Sequence, residues 1–131
     1  MRQVTENAVN AFKADNKFCG SNTNVLTYKA GTQMLLHKNI IAESIKRTGE
    51  VSISLSGWNT LTTRERLNGI LKAYNRQYAI VQRNHEPYLY WTVGMNSGMQ
   101  LANKIKIDEY KFYTLAELDA MTGLNDEQLT A

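Results

Sequence analysis

Residues 57–68 read GWNTLTTRERLN, and this stretch divides a strand-rich part of the chain from its clearest helix. Before it, apolar residues alternate with serines over residues 51–56, a period of two that predicts a strand with one buried and one solvated face. After it, apolar residues recur at helical spacing from Leu67 to Tyr74, which predicts an amphipathic helix. The stretch therefore marks the change from sheet to helix.

The predicted central helix has a start signal and two distinct faces. Thr62 and Glu65 match a capping box, in which Thr62 accepts a hydrogen bond from the Glu65 amide and Glu65 reaches back to the Thr62 amide. One face is apolar, with Leu67, Ile70, Leu71 and Tyr74. The opposite face is polar, with Arg64, Asn68, Lys72 and either Asn75 or Arg76. This polar face is the first candidate binding surface.

The elements before the central helix follow the same two periods. An N-terminal helix is predicted from one apolar face, with Val4, Ala8, Ala11 and Phe12. Four strand-like runs follow, at residues 24–29, 33–37, 40–45 and 51–56. The connections between them are short, and Lys38 and Asn39 form the tightest. Consecutive short strands with tight connections pair with their neighbours, so these runs predict an antiparallel meander.

The second half of the chain is predicted to add strands and a short helix. Residues 77–83 and the aromatic run 88–93 favour strands, with a turn at 84–87 between them. Residues 102–113 are open to strand or helix and lean toward strand. Thr114 and Glu117 match a second capping box, Gly123 suits the end of that helix, and residues 125–128 could cap one more turn.

These elements predict an α+β fold in a small single domain that covers residues 1–131. A mainly antiparallel sheet carries the N-terminal helix and the central helix on one face, and a short helix lies in an acidic C-terminal segment, residues 108–131. A chain of 131 residues is long enough for one hydrophobic core. Its 43% hydrophobic and 21% charged content is typical of globular proteins rather than disordered ones.

Several features indicate a soluble protein of a reducing compartment, such as a cytoplasm. No apolar run approaches the roughly 18 residues that span a bilayer, and we expect no membrane association. The first residues are polar, unlike the apolar stretch of a signal peptide. Cys19 is the single cysteine, which leaves no partner for a disulfide within the chain.

Charge is distributed unevenly along the chain. Residues 1–107 carry 14 Lys or Arg and 6 Asp or Glu, whereas residues 108–131 carry 1 and 6. A basic body favours contact with phosphates or with an acidic partner, and ordinary solvated faces are the alternative. The acidic segment could fold back on the basic body or bind a neighbouring subunit, which leaves a homo-oligomer open.

Signatures of catalysis and of metal binding are absent from the sequence. His37, His85 and Cys19 do not have the spacing of metal-ligand pairs. Residues 94–98 match neither glycine pattern that binds phosphates. Cys19 is expected to fill the core, and a nucleophilic pair with either histidine is the alternative. We therefore expect no enzyme, no metal and no cofactor.

Binding surfaces are better supported than catalytic sites. The stripe formed by Arg64, Asn68, Lys72 and Arg76 suits phosphates or an acidic groove on a protein, and a solvated helix face is the alternative. Trp58 is predicted to be an interface anchor if its side chain is exposed, and a core or capping aromatic if it is not.

An aromatic run provides a further candidate surface. Tyr88, Tyr90 and Trp91, with Arg83 and Arg76 near them in sequence, would form a stacking platform for single-stranded nucleic acid. Packing in the core is the alternative, because aromatic side chains dominate the energetics of protein cores.

Four segments occur in an order that resembles a known group of proteins. They are residues 4–12 (VTENAVNAF), 21–23 (SNT), 36–42 (LHKNIIA) and 57–68. The chain resembles, over roughly residues 4–70, an uncharacterised family of small proteins encoded by tailed bacteriophages. The resemblance implies a phage gene product in a bacterial cytoplasm, and many such accessory proteins bind host machinery, including defence systems.

These observations predict a non-catalytic phage accessory protein that binds a host or defence component, with nucleic-acid-handling machinery as one class of target. Direct nucleic-acid binding through the basic helix face is one alternative, and a structural role in the virion is another. The binding residues predicted for a protein partner or nucleic acid are Arg64, Asn68, Lys72, Arg76 and Trp58.

Overall fold

The computed structural model describes residues 2–123 of the protein. Most of its strands pair in antiparallel fashion with a strand that is their neighbour in sequence. The helices in this range are α1 (Gln3–Lys13), α2 (Leu61–Ala73) and α3 (Leu115–Thr122). The strands, in chain order, are β1 (Phe18–Gly20), β2 (Thr23–Tyr28), β3 (Gly31–Leu36), β4 (Asn39–Ile45), β5 (Val51–Ile53), β6 (Ala79–Arg83), β7 (Glu86–Gly94), β8 (Gln100–Lys106) and β9 (Tyr113–Thr114). The predicted α+β fold is confirmed.

The strands form two antiparallel sheets. The larger sheet has the order β1-β2-β3-β4-β5-β9, and the smaller has the order β6-β7-β8. The predicted meander is confirmed as β2 to β5, and the ambiguous residues 102–113 contribute to β8 and β9. The predicted turn at 125–128 lies outside the described residues. Within residues 2–123, no helix combines the length and the apolar character that crossing a membrane requires.

Two hairpins turn through residues with positive φ. His37 and Lys38 connect β3 to β4, and Asn84 and His85 connect β6 to β7. Consecutive positive φ values match the right-handed twist of paired strands, which is why such two-residue loops are favoured. The predicted connection at Lys38 and Asn39 was wrong by one residue. The predicted turn at 84–87 is shorter, because residues 86 and 87 belong to β7 and pair with β6.

The central helix starts two residues earlier than the sequence predicts. Thr60 is its N-cap, and the Thr60 Oγ1 accepts a hydrogen bond from the Thr63 amide at 3.2 Å. The predicted capping box of Thr62 and Glu65 was therefore wrong, because the Glu65 carboxylate instead accepts hydrogen bonds from Arg2, just before α1, and from Thr5 in α1. The second predicted box is confirmed, since Thr114 and Glu117 exchange two 3.0 Å bonds at the start of α3. Gly123 ends that helix at φ 68°, as predicted.

One continuous core joins the three helices and the two sheets. The buried face of α2 carries Leu67, Ile70 and Leu71. It packs near α1, which contributes Ala8, Val9 and Phe12. The same cluster includes Val25, Met34, Ile41 and Ile53 from the larger sheet, Ile80, Leu89 and Trp91 from the smaller sheet, and Leu118 from α3. The core thus fixes the two sheets and the helices as one unit.

A buried arginine also lies on the inner face of α2. Arg66 is only 1% exposed. Its Nε donates to Thr23 Oγ1 at 3.0 Å, and its Nη1 donates to Thr5 Oγ1 and to Glu65 Oε1. We call Arg66, Glu65, Thr5 and Thr23 the Arg66 network. Because a buried charge needs partners, this network fixes α2 against both α1 and β2.

Candidate interaction surfaces

The arginine that begins the predicted helix stripe is bound within the protein. The Arg64 Nη1 donates to the Asn59 carbonyl at 3.1 Å, to Asn59 Oδ1 at 2.6 Å and to Gln82 Oε1 at 2.9 Å. Partial burial lowers the pKa of Arg64 from its ordinary value. Arg64 therefore connects the loop before α2 to strand β6.

Asn68, the next residue of the stripe, forms hydrogen bonds through its side-chain amide with the backbone of strand β6. The Asn68 Oδ1 accepts from the Ile80 amide at 2.7 Å, and the Asn68 Nδ2 donates to the Ile80 carbonyl at 3.0 Å. A side-chain amide offers the same donor and acceptor pair as a peptide group. Asn68 thus satisfies the backbone of β6 where α2 lies beside it.

The last arginine of the stripe attaches the C-terminal helix. The Arg76 Nε and Nη2 donate to the two carboxylate oxygens of Asp119 at 2.9 and 3.0 Å, a bidentate pair. The Tyr78 hydroxyl donates to Asp119 Oδ1 at 2.6 Å. Burial, together with this carboxylate, raises the pKa of Tyr78 above its ordinary value. The acidic C-terminal segment thus contacts the basic body at Asp119.

The four residues of the stripe therefore do not form one open basic face. Three of them have hydrogen-bond partners inside the protein, whereas Lys72 is exposed. Helical spacing places Arg64, Asn68 and Lys72 on one side of α2, and contacts of the first two attach β6 to that side. The predicted extension of this helix face to Arg76 was wrong, because α2 ends at Ala73. A partner-binding role for Arg64, Asn68 and Arg76 stays a prediction, and each would act there while holding a structural contact.

Trp58 is exposed, which is the condition that the sequence sets for an interface anchor. Its side chain is 56% exposed, and the neighbouring Leu61 is 74% exposed. Beside Trp58 lies a pocket of about 290 Å³, which Leu36, Ile41 and Thr63 also line. A large aromatic side chain next to a concave, partly apolar surface is typical of the centre of a protein interface.

The backbone that carries Trp58 is held on both sides. The Gly57 amide donates to the Glu109 carbonyl at 2.8 Å, and the Trp58 amide donates to the Leu55 carbonyl at 2.8 Å. Gly57 has φ 81°, and a Cβ at this position would lie 2.6 Å from the Tyr110 ring. The loop is therefore fixed by backbone contacts while the indole ring stays at the surface.

The three aromatic residues of the predicted stacking platform lie on opposite faces of strand β7. Trp91 is only 9% exposed and lies in the core with Leu89. Tyr88 and Tyr90 have the opposite parity, are partly exposed, and pair across the strand with Lys106 and Lys104. Trp91 thus takes the alternative of core packing, whereas the two tyrosines face away from the core.

Sequence reasoning missed several residues of these surfaces. Lys104 and Lys106 lie in a segment that the sequence left open between strand and helix. Lysine and isoleucine alternate over residues 104–107, and this period of two was the available signal for a strand with a basic face. Leu61 has no distinguishing pattern in the sequence. Cys19 is exposed, so the expectation that it fills the core was wrong. Within residues 2–123, no group of three or more His, Cys, Asp or Glu side chains is placed to hold a metal ion.

Comparison with known proteins gives a match to a family of phage proteins. The sequence model of the family described as Kyanoviridae Gp96 protein matches residues 1–113. The chain belongs to this family. No curated protein and no solved structure matches the chain. The predicted phage origin of the family is confirmed, while the use of residues 57–68 as its signature stays a prediction.

The matched residues extend beyond the roughly 4–70 that the resemblance covers. They include both tyrosines of β7 and the whole of β8. They end at Tyr113, before α3 and its Asp119. The Trp58 loop and the smaller sheet therefore belong to the part of the chain that the family shares.

Proposed function

We propose that this chain is a non-catalytic phage accessory protein that binds a protein of the infected host, with a defence component or nucleic-acid-handling machinery as the class of target. The proposed place of action is the bacterial cytoplasm. The observation that carries the proposal is the 56% exposed Trp58 beside a pocket of about 290 Å³.

The energetic argument rests on the fixed loop around Trp58. Exposed tryptophan is unfavourable in water, and its burial by a partner removes a large apolar area from solvent. Since backbone hydrogen bonds already hold Gly57 and Trp58, binding would order little further backbone, and preorganised anchors bind more tightly for that reason.

Direct nucleic-acid binding through the α2 face receives less support from the contacts. A phosphate bound by Arg64 would compete with Asn59 and Gln82, and one bound by Arg76 would compete with the bidentate Asp119. Lys72 alone makes a weak electrostatic site, because affinity for nucleic acid grows with the number of neutralised phosphates. For this reason a protein partner is preferred for the region around Trp58.

The test is affinity capture of the tagged protein from phage-infected cells, followed by reconstitution with the purified partner. The wild type should retain one stoichiometric host protein. Trp58→Ala should weaken the reconstituted complex at least tenfold, as expected for a hot-spot residue. Tyr28→Ala is the matched control, because Tyr28 is also an exposed aromatic residue (54%). It lies at the turn of the β2–β3 hairpin, whereas Leu36, which lines the pocket beside Trp58, lies at the opposite end of that hairpin.

Two results would argue against this function. The first is the absence of any stoichiometric partner at several times after infection. The second is a complex that forms equally well with Trp58→Ala, while circular dichroism shows that the variant is folded. Detection of the protein in purified virions by mass spectrometry would favour the structural alternative instead.

A further inference from the structure

The outer face of the smaller sheet combines aromatic rings with cations. Tyr88 and Tyr90 lie two residues apart on β7, so both rings project from the same side. Cross-strand pairing places Lys106 opposite Tyr88 and Lys104 opposite Tyr90. On the other neighbouring strand, Arg83 pairs with Glu86. Because directly paired residues share a face, all of these side chains lie on one surface.

The surface formed by Tyr88, Tyr90, Arg83, Lys104 and Lys106, which we call the tyrosine face, is open to solvent. The three basic residues are exposed and the two tyrosines are partly exposed. The opposite side of the same strands carries the core residues Ile80, Leu89 and Trp91. The core therefore occupies one side of the sheet only, which leaves the aromatic side for a ligand.

We propose that the tyrosine face binds a single-stranded nucleic acid, with bases stacked on Tyr90 and Tyr88 and phosphates held by Lys104, Lys106 and Arg83. This surface differs from the Trp58 surface, so the inference goes beyond the proposed function and does not depend on it. Glu86 is the carboxylate on the same face, and Glu109 lies near enough to Lys106 to interact with its charge. The three cations still outnumber these two anions, which leaves the surface basic. A polyanion with flat apolar rings complements both properties.

The spacing suits two neighbouring bases of an unpaired strand. Residues two apart on a strand are separated by about 7 Å along it, and the adjacent strand lies about 5 Å away. Two splayed bases can therefore each meet one ring while the backbone passes over the lysines. A duplex would not fit, because its bases are already stacked on one another and expose no face to a tyrosine.

Existing contacts on this face are ones that a nucleic acid would replace. The Lys104 ammonium lies 4.9 Å from the centre of the Tyr88 ring, so a base stacking on Tyr88 would move Lys104 toward a phosphate. Lys106 and Glu86 form an ion pair at 2.8 Å with both side chains about half exposed. Exposed ion pairs contribute little stability, and a phosphate can take the place of the carboxylate at Lys106.

The test is fluorescence anisotropy with labelled oligothymidylate and oligouridylate of about 12 nucleotides, a length within the usual site sizes of domains known to bind single strands. The wild type should bind at low salt and weaken as salt rises. Tyr90→Ala should bind between about fivefold and a hundredfold more weakly, whereas Tyr90→Phe should retain affinity because the ring remains. The two oligomers separate a preference for DNA from one for RNA.

Charge variants test the lysines and the carboxylate separately. Lys104→Gln should reduce the magnitude of the salt slope by about 0.7, the value for one phosphate contact on a single strand. Lys38→Gln removes an equal charge from the exposed β3–β4 turn and should leave that slope unchanged. Glu86→Gln should tighten binding, because it removes the anion that competes for Lys106.

Each remaining outcome overturns the proposal. Absence of binding to both oligomers at low salt overturns it, as does equal affinity for wild type and a folded Tyr90→Ala. Self-association that Tyr90→Ala abolishes, without nucleic-acid binding, would assign the face to a second copy of the chain. Trp58→Ala should bind the oligomers normally, so that failure of this proposal and failure of the host-protein proposal are distinguishable.

Discussion

The Glu65 carboxylate lies 2.7 Å from the Nη1 of Arg66, the next residue in α2. The same oxygen accepts from Thr5 Oγ1 at 2.6 Å and from Arg2 Nε at 2.7 Å. Arg66 is almost completely buried, whereas Glu65 is partly exposed. Glu65 is thus the single carboxylate that neutralises Arg66 among the described salt bridges, and it joins α1 to α2.

Replacement of Glu65 should strongly destabilise the fold. Glu65→Ala would leave the buried guanidinium of Arg66 without a counter-charge, which we expect to lower the free energy of unfolding by about 3 kcal/mol. Urea denaturation followed by circular dichroism measures the change. Glu50→Ala, at an exposed loop position, is the control and should change stability by less than about 0.5 kcal/mol. Equal effects of both variants would contradict the role of the Arg66 network.

The Arg66 network also predicts an acid-sensitive stability. Burial alone would raise the pKa of Glu65, but hydrogen bonds from Thr5 and Arg2 and the charges of Arg2 and Arg66 outweigh it and hold that pKa below the ordinary 4.5. A carboxyl group with a lowered folded-state pKa stabilises the fold above its unfolded pKa. This stability should therefore be lost as pH falls below about 4.5.

Thermal unfolding between pH 7 and pH 3 tests this dependence. The wild type should lose stability in the acid range, and Glu65→Gln should lose less over the same range because it has no proton to bind there. The two curves should converge at low pH. A Glu65→Gln curve that stays parallel to the wild-type curve would exclude Glu65 as a source of the pH dependence.

The start of α2 can be located by comparing two threonines. Thr60→Ala removes the side chain that caps the Thr63 amide and should cost about 1 kcal/mol. Thr62→Ala should cost less, because Thr62 Oγ1 makes only a 3.4 Å contact with Arg2. Denaturation of both variants under one condition gives the order. The reverse order would restore the cap position that the sequence pattern suggests.

The periodicity of apolar residues was sufficient to predict most helices and strands. It could not predict which hydrogen-bond partners a polar side chain would take from elements distant in sequence. The alternation over residues 51–55 and the helical spacing from Leu67 to Leu71 both predicted buried faces that the structure contains. The cap was misplaced because Thr62, unlike Thr60, is followed by a glutamate three residues later, whereas the observed Thr60 cap uses the backbone amide of Thr63 and needs no such pattern. Contacts with α1, distant in sequence, occupy Glu65, and no local pattern contains that information.

The candidate sites were harder to predict because polar character does not distinguish a solvated face from one covered by polar contacts. Arg64, Asn68 and Arg76 have the spacing of an open stripe, but Gln82, Ile80 and Asp119 contact them. In β7 the difficulty concerns aromatic residues, because the aromatic run contains both buried and exposed side chains. Only the strand parity separates the buried Trp91 from Tyr88 and Tyr90.

Asp119 should control the attachment of α3. Asp119→Asn removes the charge that Arg76 meets in a bidentate pair and weakens the bond to the Tyr78 hydroxyl. We expect a loss of about 1–2 kcal/mol, a moderate value because the pair is about a quarter exposed. Hydrogen exchange of the amides in residues 115–122 should accelerate.

The comparison for that prediction is Glu117→Gln, which changes the same charge on the same helix. Glu117 pairs with Lys111 at 3.4 Å on an exposed surface, and glutamine retains its role in the capping box. Its effect on exchange should therefore be small. Similar acceleration in both variants would mean that net charge, rather than the Arg76–Asp119 pair, holds the helix.

Gly31 should be intolerant of any side chain, because β3 and β4 approach closely at this point. A Cβ on Gly31 would lie 1.8 Å from the Ser44 carbonyl oxygen, a backbone atom that cannot move aside alone. Gly31→Ala should therefore destabilise the protein by about 3 kcal/mol through overpacking. Gly94→Ala is the matched control, since no atom lies within 4 Å of its added Cβ. Urea midpoints of the two variants measure the difference, and a Gly31→Ala midpoint equal to that of Gly94→Ala would contradict the close approach of the two strands.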